Sequence, residues 1–157
     1  MVMKVLRFVR LPYLLLLLYA LGRFWIGIRG VPYAPRGNAV FSVVGLTIIS
    51  SIYFGALSKR VGGFRWLGTV LVGLFIGLWA QILIVTLTLV SFLGHFDTSY
   101  YLNPDSLPVP AGGTLDMSVI MMQRGPGLVV NCIIAIVAAS IGRLLAALAP
   151  QPGAAGE

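Results

Sequence analysis

The chain has 157 residues, 59% of them hydrophobic and 10% charged, with a mean hydropathy of +0.98. A soluble domain keeps about a quarter of its residues charged, so this composition points to a membrane and leaves no room for a separate soluble catalytic module. The net charge of +7 does not indicate nucleic acid, because most basic residues flank hydrophobic runs and no basic patch interleaved with aromatics lies outside them.

The expected fold is all-α: an integral membrane four-helix bundle over 1–149 with an extracytoplasmic loop cap, followed by a disordered tail at 150–157 rich in Pro, Gly and Ala. Lys4, Arg7 and Arg10 precede the first hydrophobic segment, 11–28. A basic start, a leucine core and Ala20-Leu21-Gly22 would suit a signal peptide. Apolar character resumes after Arg23, however, so a retained helix is expected. Arg23 sits near its outer end, where the guanidinium can snorkel or pair with Asp97. A turn-like connection, 29–38, leads to segment two, 39–57, in which Thr47, Ser51 and Gly55 share one face as small residues.

Lys59, Arg60 and Arg65 form a basic loop, in which Gly62 and Gly63 are expected to tolerate substitution. The third segment, 67–93, has no charge and is too long for a strand. Within it Thr69, Gly73, Gly77 and Gln81 recur every four residues, which places them on one helix face. Small residues at that spacing admit a second backbone, from segment two or four or from another copy. The long polar loop 94–127 follows, with Thr114 as a candidate cap for a short amphipathic turn carrying Leu115, Val119 and Met121 or Met122. Segment four is 128–148, with small residues at Ala135, Ala138, Ala139 and Gly142. Cys132 lies within it and reads as a buried, inert thiol.

Lys4, Arg7, Arg10, Lys59, Arg60, Arg65 and Arg143 fall on one side of this alternation. Arg23, Arg29, Arg36 and Arg124 fall on the other, with Asp97, Asp105 and Asp116. The positive-inside rule then puts both termini in the cytoplasm, and a bacterial inner membrane is the expected location.

Among constellations that could carry chemistry, an arginine cluster on the outer face comes first. Arg36 and Arg124 are each read as preceding a helix N-terminus. With Arg29 they would hold an anion, or a lipid headgroup phosphate, against backbone N–H groups. His95 and Asp97 are weak metal candidates, while Asp105 in NPDS reads as a turn residue. No cofactor is expected. Haem on His95 with Met117, Met121 or Met122, or a quinone against Gln81 and Asn131, are the options the residues leave open. Gln81 and Asn131 are read first as interhelical glue.

No acidic residue, Lys or His lies mid-membrane to relay protons, and there is no phosphate-binding glycine loop, HExxH motif or cysteine pair. A non-catalytic accessory or structural subunit is therefore the leading expectation, with lipids and other membrane subunits, or further copies of itself, as partners. An anion-selective permease with an outer arginine ring is the second reading, and an outer-face metal or redox component the third.

Overall fold

The computed structural model describes residues 1–33, 40–103 and 116–149. Among them every regular element is a helix: α1 (Val2–Phe8), α2 (Arg10–Ile28), α3 (Val43–Arg60), α4 (Trp66–Leu93) and α5 (Met117–Leu148). Three of these, α2, α4 and α5, are long and apolar enough to cross a membrane. They mark the chain as a membrane protein. The expected set of four spans is not matched, because α3 is not among them. It has 18 residues, ends in Lys59 and Arg60, and buries the hydroxyls of Thr47, Ser50, Ser51 and Ser58.

α1 and α2 are nearly one helix, interrupted at Val9. Pro12 explains the interruption: it has no N–H to give the carbonyl four residues back, and its ring crowds that carbonyl. Hydrogen bonds from Val9 to Val5 and from Tyr13 to Val9 still carry the direction across. Val5, Val9, Pro12, Leu16 and Ala20, spaced three or four apart, are all buried and form one face against the core. Tyr13 stacks on Trp79 of α4 at 5.2 Å, and the Trp79 indole N–H donates to the Tyr13 carbonyl at 3.1 Å.

α3 starts at Val43, later than expected, because Ser42 caps it by accepting from the Gly45 N–H at 3.1 Å. It ends in a turn through Gly63, whose positive φ (64°) suits a residue without a Cβ. A Cβ on Gly62 would lie 2.5 Å from the Phe64 ring. The expectation that Gly62 and Gly63 tolerate substitution therefore fails on two counts, space at one and backbone sign at the other.

The largest correction concerns α5. Instead of a short turn followed by a span at 128–148, one helix of 32 residues runs from Met117, with Pro126 inside it. At about 1.5 Å per residue it is longer than a bilayer's hydrocarbon core is thick. Asp116, not Thr114, occupies the N-cap position; Thr114 and Leu115 lie outside the described residues. α5 makes the most extensive helix contacts in the molecule, with α3 and with α4.

Candidate functional site

The α4–α5 seam is built from glycines and amides. A Cβ on Gly73 would lie 2.5 Å from the Ala135 carbonyl oxygen, and one on Gly77 3.0 Å from that of Asn131. The order of these contacts makes the two helices antiparallel. Only glycine allows backbones this close. The Asn131 side-chain N–H donates to the Gly77 carbonyl at 3.2 Å, and that of Gln81 to the Arg124 carbonyl at 3.1 Å. The Gln81 bond falls beside Pro126, where the helix ladder is interrupted. Across α3 and α5 the backbones touch directly, Gly55 against Ala139 and Gly142 against Ile52. Ser51, one turn before Gly55, is buried with no hydrogen-bond partner for its hydroxyl among the described residues.

One end of α4 is tied by a directed chain of hydrogen bonds. Arg143 Nη1 donates to Thr69 Oγ1 at 2.6 Å and to the Phe64 carbonyl at 3.0 Å. Thr69 Oγ1 lies 2.8 Å from Ser58 Oγ, which donates to the Gly55 carbonyl at 2.6 Å. A hydroxyl has one proton, and that of Ser58 is spent on Gly55, so Thr69 donates to Ser58. The guanidinium also sits 4.7 Å above the Trp66 ring. Arg60 closes the C-terminus of α5, donating to the carbonyls of Ala146 and Ala149.

The other end is organised by residues that sequence reasoning missed. After α4 the chain turns at His95, whose φ is positive (53°), and folds Tyr100, Tyr101 and Leu102 into the core. The Tyr101 hydroxyl donates to the Ala20 carbonyl at 3.0 Å, and that of Tyr100 to the Val31 carbonyl at 2.8 Å. Burial pushes both phenol pKa values up, with nearby Arg23 opposing the rise. The signal that could have found them is Gly27. The Tyr100 backbone comes so close to it that a Cβ there would lie 2.7 Å from the Tyr100 nitrogen.

The arginines expected to form a ring are placed differently. Arg36 lies outside the described residues, as does Asp105. Arg124 does not precede a helix: it is inside α5, half-buried, and donates to the Tyr101 carbonyl at 2.8 Å. No helix N-terminus supports an anion there, because α5 begins at Met117. Arg29 caps the C-terminus of α2, where a cation suits the helix dipole, and lies 5.6 Å from the Trp25 ring. Arg23 donates to the Tyr33 hydroxyl at 3.3 Å and lies 5.4 Å from the Tyr33 and Tyr100 rings. Among the described residues no ion pair joins it to Asp97, which is exposed. His95 is exposed as well, and no group of three or more His, Cys, Asp or Glu side chains gathers among the described residues. Met121 packs against Leu102 and Ile120, Met117 is partly buried, and Met122 is exposed.

Compared with protein-family models, curated proteins and solved structures, the chain matches none.

Proposed function

We propose that the chain is a non-catalytic integral membrane subunit that assembles with other membrane subunits or with copies of itself. The observation that carries this reading is how the polar side chains within the helices are used. Gln81, Asn131, Thr69 and Ser58 each bond a neighbouring helix or its own, which is the role of glue rather than of a site open to a ligand. A permease reading would need Gln81 and Asn131 to face a water path, and their N–H groups are directed at carbonyls.

In this reading α3 is the fourth membrane helix. Ile49 and Tyr53, one turn apart on its exposed face, suit lipid or another apolar helix. Along α5, Val130, Ile133, Val137, Ile141, Leu144 and Leu148 are exposed at spacings of three and four. They form one apolar stripe along most of the helix, available to a partner. Both termini and the 61–65 turn lie in the cytoplasm of a bacterial inner membrane, on the strength of the basic residues collected at that end.

Gentle solubilisation followed by size and mass analysis tests the reading. Recovery in a stoichiometric assembly, or as a homo-oligomer without transport activity after reconstitution, is the expected result. A monomer that conducts anions would overturn it.

A further inference from the structure

Away from the arginines of the opposite end, the α3–α5 surface carries adjoining hollows of two distinct chemistries. The first is an apolar groove of about 400 Å3 between Ile49, Ile52, Tyr53 and Ala56 of α3 and Gly142 and Leu145 of α5. It exists because Gly142 and Ile52 touch through their backbones, which leaves a furrow beside the crossing. The second is a hollow of about 530 Å3 directly above it, sharing Ala56 and bounded by Lys59, Arg60, Trp66 and Arg143. A further hollow of about 780 Å3 continues past Lys59, Trp66 and Arg143 to Arg65. From Ile49 to Lys59 the two parts span about 15 Å of helix.

We propose that this surface binds one anionic phospholipid, its phosphate among Lys59, Arg65 and Arg143 and an acyl chain along the groove. The cations are placed to receive it. Lys59 and Arg65 are exposed, and their side chains make no hydrogen bond or ion pair among the described residues. Arg143 uses Nη1 on the protein and keeps its other guanidinium N–H groups for a ligand. The C-terminus of α5 would repel a phosphate, but Arg60 already covers its carbonyls. No Asp or Glu lines either hollow among the described residues. Trp66, half exposed at the mouth, is the residue type that settles at the headgroup level. A second copy docked symmetrically in the groove would bring the same cations face to face, which is repulsive. An uncharged helix would fill the groove and leave the hollow unanswered. Basic pockets between membrane helices on the cytoplasmic side are where anionic headgroups bind.

The inference rests on the membrane placement of α3 proposed above, so Ile49→Cys and Tyr53→Cys, on the exposed side of α3, are first offered a water-soluble maleimide in native membranes. Both should resist it; full labelling of both would overturn that placement, independently of any lipid preference. The full chain in detergent is then offered dioleoyl phosphatidylglycerol or dioleoyl phosphatidylcholine in mixed micelles, and bound lipid is counted by native mass spectrometry. One phosphatidylglycerol per chain is expected, favoured over the zwitterionic lipid about a hundredfold, given about 1 kcal/mol for each of Lys59, Arg65 and Arg143. Lys59→Gln with Arg65→Gln, both exposed, should reduce that preference about thirtyfold, and Ala56→Phe should weaken retention with all charges in place. Arg7→Gln with Arg10→Gln, outside the hollow, should change nothing. Equal retention of both lipids, no effect of the Lys59 and Arg65 pair, or displacement by glycerol phosphate as effective as by the intact lipid would each overturn the proposal.

Discussion

The two ends of α4 are pinned by the same device, a relay of two hydroxyls ending on a helix carbonyl, yet they are fed by different donors. At the far end the Tyr101 N–H donates to Ser99, which lies 2.7 Å from Ser91, which donates to the Leu87 carbonyl. At the near end the first donor is the Arg143 guanidinium, passing through Thr69 and Ser58 to Gly55. The first relay is neutral and closed. The second carries a charge that is only partly spent, beside Lys59 and Arg65. Arg23 and Arg124, at the far end, are turned inward to tyrosine rings and a carbonyl. The contrast teaches that arginine count alone does not locate an anion site; what each guanidinium already touches decides whether it is structural or available.

Several substitutions would break or sharpen this contrast. The strongest is Gly142→Leu, which forces a side chain into the Ile52 backbone beneath the charged end. It should cost about 3 kcal/mol or more and abolish a monodisperse fold in detergent. Gly125→Ala, in open space on the same helix, should change stability by less than about 1 kcal/mol. If the two variants melt alike, the backbone contact of α3 and α5 does not hold the bundle. Next in size, Thr69→Val should cost about 2 to 3 kcal/mol, because it leaves a half-buried guanidinium short of an acceptor. Ser99→Ala, at the neutral relay, should cost only about 1 kcal/mol. Equal losses in thermal melts would remove the distinction drawn between the two relays.

The smallest effect is a pH dependence confined to the tyrosine end. Folding raises the phenol pKa values of Tyr100 and Tyr101, so the stabilisation is complete below the unfolded value of about 10. It is lost as pH rises from there through the folded values, because the unfolded chain releases these protons first. Melting temperature should therefore fall above about pH 10, and less steeply in Tyr101→Phe, which removes one titrating group at the cost of a hydrogen bond worth about 1 kcal/mol. An unchanged alkaline slope in that variant would contradict the burial of this hydroxyl.

The all-helical class was legible because hydrophobic runs without charge have few other solutions, and the run 67–93 is the helix Trp66–Leu93. Pro126 between two glycines, by contrast, reads as a break. The helix nevertheless continues through Pro126, with Gln81 of α4 donating to the Arg124 carbonyl close by and nothing crowding Gly125. No local pattern encodes that help. The same misreading put Arg124 before a helix rather than inside one. Tyr100 and Tyr101 were missed because an aromatic pair in a turn-rich loop looks like surface, and only the fold brings it under Gly27.

The dependence of α3 and α4 on α5 also has a consequence for biosynthesis. Their glycine faces, at Gly55, Gly73 and Gly77, both meet α5, which is synthesised after them. Until Met117–Leu148 has emerged, the earlier helices carry two uncovered grooves that fit backbone better than lipid. Any nascent or truncated chain ending before that point exposes both at once. Such a chain offers both grooves to any neighbouring membrane helix, and α5 closes the two together.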